Sequence, residues 1–214
     1  MKTPVTCSAY AWVLSLGIVI LYSQPAWAAS CESLTALSLK QTTIEVAEVI
    51  TSGSFALPPP AKRTLTELPT FCRVAAVSKP SSDSHISIEV WMPTVGWNGK
   101  FLGVGNGGLA GAISYAAMGP VLKRGYAVAS TDTGHRGAGN DASWALGHPE
   151  KQIDFGYRAV HEMTVQAKAI VTAFYSTAPR YAYWSGCSTG GRQGLKEAQR
   201  GGWRSGVGLP DPQL

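Results

Sequence analysis

A serine flanked by glycines, in the segment from Gly186 to Gly190 (GCSTG), constrains the fold of this chain more than any other feature. The pattern G-x-S-x-G is weak by itself in a glycine-rich chain. Here the β-type run Tyr181–Trp184 precedes it and the helical pattern Thr189–Gln199 follows it. A turn that leads directly from a strand into a helix has no room for side chains two residues before and after its apex. The sequence therefore predicts a nucleophile elbow with Ser188 as the catalytic nucleophile.

The same elbow predicts an oxyanion hole. The backbone N–H of Thr189 would lie at the N-terminus of the following helix, where free donors and the helix dipole favour negative charge. On an α/β-hydrolase sheet the second donor comes from a loop after an earlier strand. The glycine cluster Gly103–Gly108 (GVGNGG) follows such a strand, and Gly108 is the preferred donor, with Gly107 as the other candidate.

The first 28 residues have the pattern of a cleaved signal peptide. Lys2 supplies the positive start, residues 9–22 form an apolar run, and Ala26-Trp27-Ala28 fits the small-x-small cleavage rule. The apolar run is shorter than the roughly 20 residues of a transmembrane helix, so an uncleaved N-terminal anchor is the less favoured alternative. We therefore predict a secreted or periplasmic protein with no stable membrane association after signal cleavage.

Two other interpretations of the glycine clusters remain open. GCSTG could be a plain glycine-rich turn or a phosphate-binding loop, although no lysine follows at the Walker spacing. Gly103, Gly105 and Gly108 also fit the dinucleotide pattern G-x-G-x-x-G, with Asp132 after the next strand as the acidic residue. Export argues against this second interpretation, because a free nicotinamide cofactor is not expected outside the cytoplasm.

Strand and helix patterns alternate along the chain, which predicts an α/β fold whose mostly parallel sheet has crossover helices. The strands are predicted at residues 71–77, 86–92, 100–104, 126–131 and 181–184, and the helices at residues 112–124, 154–175 and 189–199. Catalytic groups gather at the carboxyl ends of strands in such sheets. Asp132 and His135 follow one of these ends and are candidate site-lining residues, whereas His85, His148 and His161 are predicted to be structural or solvated.

Composition excludes several classes of protein. Only 14% of the residues are charged, against about 25% in an average soluble domain. The net charge is +5, but no run of Lys and Arg exceeds two residues, so we predict no nucleic-acid partner. The length of 214 residues fits one domain, or a piece of a larger one.

Cys31, Cys72 and Cys187 remain after removal of the signal peptide. An oxidising compartment favours pairing, and closing the loop between Cys31 and Cys72 would contribute about 4 kcal/mol of stability. We favour this pair, with two free buried thiols as the alternative. Cys187 then has no partner in this chain.

Several stretches resemble the tannase and feruloyl esterase family, which also includes the bacterial mono(2-hydroxyethyl) terephthalate hydrolase. They are the elbow GCSTGGRQ at residues 186–193, WNGKF at 97–101, GNGG at 105–108, STDTGH at 130–135 and FGYRAVH at 155–161. The resemblance spans residues 31–200. It implies an α/β-hydrolase core that hydrolyses small esters of aromatic acids with Ser188 as nucleophile. It also implies a Cys31–Cys72 disulfide, and a bridge from Cys187 to a cysteine beside the catalytic histidine.

The sequence departs from the family after the elbow helix. The α/β-hydrolase order is nucleophile, acid, histidine, yet no histidine follows Ser188, and Glu197 and Asp211 are the only acidic residues there. We therefore expect residues 29–200 to be the N-terminal part of the catalytic domain, truncated after the elbow, and residues 201–214 to be an irregular divergent tail. The resemblance places a lid, with calcium in some members, in the missing region. No cofactor or metal site is predicted within this chain.

Three functional hypotheses remain. The first is a secreted serine carboxylesterase of the tannase and feruloyl esterase type, weakly active or inactive alone because its acid and histidine are missing. The second is a non-catalytic α/β-hydrolase-like fragment or binding domain. The third is a lipase or peptidase on the same fold.

Overall fold

The computed structural model describes residues 29–59, 61–109 and 111–201, together with the backbone of residues 207–208. The predicted signal peptide, residues 1–28, and most of the predicted divergent tail lie outside the described residues. The boundaries of these two segments therefore stay predictions.

The described strands are β1 (Thr42–Ile50), β2 (Phe55–Ala56), β3 (Thr64–Leu65), β4 (Phe71–Ser78), β5 (Ile86–Pro93), β6 (Lys100–Val104), β7 (Ala127–Thr131), β8 (Tyr181–Ser185) and β9 (Val207–Gly208). They form a seven-stranded sheet in the order β1-β4-β5-β7-β6-β8-β9, and β2 pairs with β3 in a small second sheet. Neighbouring strands run antiparallel from β1 to β7 and parallel from β7 through β6 and β8 to β9. The elbow therefore follows a strand in the parallel half of the sheet, as predicted.

The helices connect the parallel strands. They are α1 (Tyr115–Lys123), α2 (Pro149–Ile153), α3 (Ala159–Tyr175) and α4 (Thr189–Gln199), and a π turn, Asp154–Arg158, joins α2 to α3. The predicted strands and α4 match these bounds to within one residue. The helix predicted over residues 154–175 begins earlier, because Pro149 suits the first position of a helix. The predicted α/β class with crossover helices is confirmed.

Both faces of the central sheet are buried. In β5, Ile88 and Val90 pack in the core that includes Met163 of α3, whereas Trp91 packs in the core that includes Met118 of α1. The alternation of residue types in β5 thus separates two buried faces. The sheet is covered on both sides by helices, as mixed α/β sheets are.

Glu89 is a charged residue on the α1 face of the sheet, yet only 1% of its surface is exposed. Its carboxylate accepts hydrogen bonds from Arg73, from the Trp91 indole at 2.8 Å and from the Tyr115 hydroxyl at 3.3 Å. Burial raises the pKa of Glu89, and the adjacent Arg73 guanidinium opposes that shift. A buried charge needs hydrogen-bond partners of this kind. The alternation of apolar and polar residues in the β5 sequence does not predict them.

Cys31 and Cys72 form a disulfide with 5.6 Å between their Cα atoms, so this prediction is confirmed. The bridge ties the start of the described chain to β4. We expect Cys31→Ala to lower the free energy of unfolding by about 2–5 kcal/mol, because the cross-link restricts the unfolded chain. Urea denaturation without reductant measures the loss. The control is Cys187→Ala, which removes an exposed free thiol; equal midpoints for the two variants would contradict the prediction.

Candidate active site

Ser188 occupies the turn between β8, which ends at Ser185, and α4, which begins at Thr189. Its backbone has φ 54° and ψ −120°, a conformation that side-chain-bearing residues rarely adopt. Such strain costs on the order of 1–3 kcal/mol and is concentrated at functional sites. The side chain is exposed at the carboxyl end of the parallel strand. The predicted strand–serine–helix turn is therefore present.

The glycines around Ser188 allow the turn to fold back on itself. A Cβ atom on Gly186 would lie 2.6 Å from the backbone carbon of Gly190, closer than any side chain could tolerate. The N–H of Gly190, in the first turn of α4, donates to the carbonyl of Cys187 at 2.9 Å. The G-x-S-x-G spacing thus has a direct steric cause in this chain.

The loop after β6 packs against the elbow. Gly105 donates its N–H to Ser185 at 2.9 Å, and a Cβ atom on Gly105 would lie 2.7 Å from the Cα of Gly190. A Cβ atom on Gly190 would in turn lie 3.0 Å from the carbonyl oxygen of Asn106. The two glycine clusters that the sequence singled out are therefore in contact.

Asn106 and Gln193 join this loop to α4, a role that neither local sequence predicts. The side-chain oxygen of Gln193 accepts the backbone N–H of Asn106 at 3.0 Å, and the two side-chain amides bond to each other at 3.2 Å. Asn106 also donates to the carbonyl of Thr131 at 2.9 Å. Both amides are buried. The only sequence signal was that each lies in a stretch that resembles the family.

Gly107 and Gly108 are the exposed residues that follow Asn106 in this loop. Gly108 has φ 57°, and a Cβ atom there would lie 2.5 Å from the carbonyl oxygen of Gly139, so this position requires glycine. A Cβ atom on Gly107 would meet nothing within 4 Å. Asn106 contacts the elbow at Gly190, and these two glycines directly follow Asn106 in the sequence. The oxyanion role of Gly107, Gly108 and Thr189 stays a prediction.

Asp132 and His135 are both buried, and their polar atoms are bonded to the framework. Asp132 accepts the backbone N–H groups of Ser87 at 2.9 Å and of Gly134 at 3.0 Å. Burial raises the pKa of Asp132, and these hydrogen bonds oppose that shift. His135 donates from Nε2 to the carbonyl of Leu109 at 2.8 Å, since a carbonyl oxygen can only accept. Their role as site-lining residues stays a prediction.

The other paired imidazoles in the described part of the chain also bond away from Ser188. His148 contacts the Asp83 carboxylate at 3.0 Å. His161 contacts the Glu197 carboxylate at 3.2 Å and links α3 to α4. Burial raises the pKa of Glu197, and the neighbouring His161 opposes that shift. None of the hydrogen bonds of these rings, nor those of His135, reaches Ser188.

Cys187, directly before Ser188, is exposed and free among the cysteines that the structure describes. Its predicted bridge to a cysteine beside the catalytic histidine stays a prediction. Within the described ranges, no group of three or more His, Cys, Asp or Glu side chains could hold a metal ion. The calcium site that the family resemblance places in a lid stays a prediction.

In the part of the chain that the structure describes, no helix is both long and apolar enough to cross a membrane.

The known proteins that are similar to this chain include an esterase and a probable feruloyl esterase. The family model described as tannase and feruloyl esterase matches residues 72–204. An uncharacterized esterase of Xanthomonas campestris is 48% identical over 172 residues, which cover 80% of this chain and 30% of that protein. A probable feruloyl esterase B-1 of Aspergillus fumigatus is 43% identical over 130 residues, 61% of this chain and 24% of that protein.

Among solved structures, feruloyl esterase B from Aspergillus oryzae is similar with a TM-score of 0.72 and 34% sequence identity. The similarity covers 79% of this chain and 34% of that one. The chain thus spans about a third or less of the length of these relatives.

Proposed function

The chain belongs to the tannase and feruloyl esterase family, and from this membership we propose that it carries the nucleophile of a secreted serine carboxylic ester hydrolase acting on esters of aromatic acids. The observation that carries the proposal is the backbone of Ser188, held at φ 54° and ψ −120° between β8 and α4. This conformation presents a serine hydroxyl at the rim of the sheet, as nucleophilic catalysis requires. The names of the relatives support the substrate class.

In the proposed reaction, the Oγ atom of Ser188 attacks the ester carbonyl and forms a tetrahedral intermediate. The negative charge on the former carbonyl oxygen is stabilised by the N–H of Thr189 and by an N–H of Gly107 or Gly108. A general base accepts the hydroxyl proton and returns it to the departing alcohol, and water then hydrolyses the acyl-enzyme. The hydrogen bonds of His135, His148 and His161 go to partners other than Ser188. None of these contacts therefore assigns the base.

Secretion is part of the same proposal. The disulfide between Cys31 and Cys72 supports it, because structural disulfides persist in oxidising compartments and are rare in the cytosol. The apolar run within residues 1–28 supports it independently.

Labelling by a fluorophosphonate probe tests the proposal. We expect slow modification of Ser188, because an elbow and oxyanion hole alone retain about 10³–10⁴-fold catalysis over water. Mass spectrometry of the labelled peptide identifies the modified residue. Ser188→Ala should remove the label, whereas Ser52→Ala, a change of an exposed loop serine, should leave it unchanged.

The second candidate function is a non-catalytic α/β-hydrolase-like domain. It is favoured by one observation: His135, His148 and His161 are bonded to Leu109, Asp83 and Glu197, respectively, and not to Ser188. Labelling of the unsubstituted chain no faster than that of Ser188→Ala would decide for this candidate.

A further inference from the structure

The π turn at Asp154–Arg158 contacts both α4, which follows Ser188, and His135. π turns alter the regular hydrogen-bond register of a helix and are frequent at functional sites. On one side, Arg192 of α4 donates to the carbonyl of Gly156 at 2.7 Å and to that of Phe155 at 3.2 Å. On the other side, the Phe155 ring packs edge-on against His135, with 5.7 Å between centroids.

Arg192 fastens the first part of α4 to this turn. Its own N–H donates to the carbonyl of Ser188 at 3.1 Å, so it lies one helical turn beyond the nucleophile. Its guanidinium also lies over the Phe155 ring, 5.1 Å from the centroid. A planar guanidinium suits this combination of a forked pair of hydrogen bonds and ring stacking better than an ammonium does. The position of the elbow helix is thus fixed relative to Phe155.

His135 continues the connection beyond Phe155. Only 5% of its surface is exposed, and its ring stacks on Trp144 with 3.8 Å between centroids and 18° between planes. Trp144 itself lies 5.3 Å from Phe155. The three rings therefore form one aromatic cluster, defined by His135, Trp144 and Phe155, in which the imidazole cannot rotate freely.

The imidazole of His135 holds the loop that follows β6. Its Nε2 donates to the carbonyl of Leu109 at 2.8 Å. The same stretch donates the N–H of Leu109 to Gly139 at 2.8 Å and that of Gly111 to Gly137 at 3.1 Å. This loop, which contains the predicted oxyanion donors, is thus fastened to the segment that begins at His135.

We propose that Arg192 and His135 are positioning residues, which act through Phe155 to hold the elbow helix and the glycine loop in a fixed relation. The catalytic consequence rests on the proposed esterase function. Oxyanion donors must lie about 2.7–3.1 Å from the developing charge, and a displacement of about 1 Å can cost about 100-fold in rate. The mechanical connection can be tested whether or not the chain cleaves esters.

The test is amide hydrogen exchange, followed by NMR, in the chain of residues 29–214. We expect Arg192→Ala to accelerate exchange at Leu109 and Gly111 by about tenfold, although Arg192 contacts neither residue. Exchange at Val74 and Val90 in the core strands should not change, which separates a local effect from global destabilisation. Arg192→Lys, which keeps the charge but loses the fork, should accelerate exchange by a smaller factor and serves if the alanine variant does not fold.

Arg200→Ala is the matched control. Arg200 is an exposed arginine at the C-terminal end of α4, and its guanidinium lies 4.1 Å from the ring of Tyr157 in the same π turn. Its removal should leave exchange at Leu109 and Gly111 unchanged. An equal effect of the Arg200 and Arg192 substitutions, acceleration confined to the neighbours of Arg192, or equal acceleration throughout the core would each overturn the proposal.

Two substitutions of His135 separate the hydrogen bond from the stacking. His135→Gln retains a side-chain N–H for the Leu109 carbonyl, whereas His135→Phe retains the ring against Trp144 but has no donor. We expect the phenylalanine variant to accelerate exchange at Gly111 by about tenfold and the glutamine variant to stay near the unsubstituted chain. The reverse order would contradict the assignment. If the unsubstituted chain shows no fluorophosphonate label, the esterase function fails, while the exchange data still decide the mechanical connection.

Discussion

Purified residues 29–214 are expected to hydrolyse methyl ferulate about 10⁴-fold or more slowly than an intact feruloyl esterase, because loss of triad members costs about 10⁴–10⁶ in turnover. The physical reason is the arrangement of the imidazoles. His135 bonds to a backbone carbonyl, and His148 and His161 bond to carboxylates. Initial rates with methyl ferulate and methyl gallate measure the deficit, and Ser188→Ala provides the blank.

The pair of His161 and Glu197 is not placed to act as the base for Ser188. Glu197 lies two and a half turns along α4 from Ser188, which is about 13 Å at 1.5 Å per residue, too far for a hydrogen bond. The prediction would be contradicted by turnover within about tenfold of the intact enzyme that disappears in Ser188→Ala. Such a result would show that a base is supplied within these residues, and His135 would be the first imidazole to replace.

The elbow could be predicted from the sequence because its requirements are local. Apolar runs bounded by glycine identify β6 and β8, and the contact between Gly186 and Gly190 needs only residues close in sequence. The same local signals predicted α4 at its observed bounds. Features set by neighbouring residues along the chain were therefore accessible without a structure.

Features that depend on distant partners could not be predicted. Asn106 and Gln193 are 87 residues apart in sequence, and nothing in either local pattern indicates their reciprocal hydrogen bonds. Glu89 has the residue type of an exposed position, yet Arg73 from β4 allows its burial. The strand β1 was not predicted either, since its residues are mostly exposed or half-buried at the edge of the sheet. Long-range pairing decides each of these cases.

Gly186→Ala is expected to remove the fluorophosphonate label from Ser188 and to lower the free energy of unfolding by about 3 kcal/mol. A methyl group on Gly186 would lie 2.6 Å from the backbone carbon and 2.7 Å from the carbonyl oxygen of Gly190. No flexible side chain can move aside there, so either the start of α4 shifts or the strained backbone of Ser188 relaxes. Urea denaturation and peptide-level labelling measure the two effects.

The matched control for stability is Gly107→Ala, because a methyl group on Gly107 would meet nothing within 4 Å. Its unfolding midpoint should stay close to that of the unsubstituted chain. The Gly186 variant keeps the hydroxyl of Ser188 and changes only the turn that presents it. Loss of the label would therefore show that the reactivity of Ser188 depends on its backbone conformation. An unchanged midpoint together with an unchanged labelling rate would mean that the close approach of Gly186 and Gly190 does not govern the site.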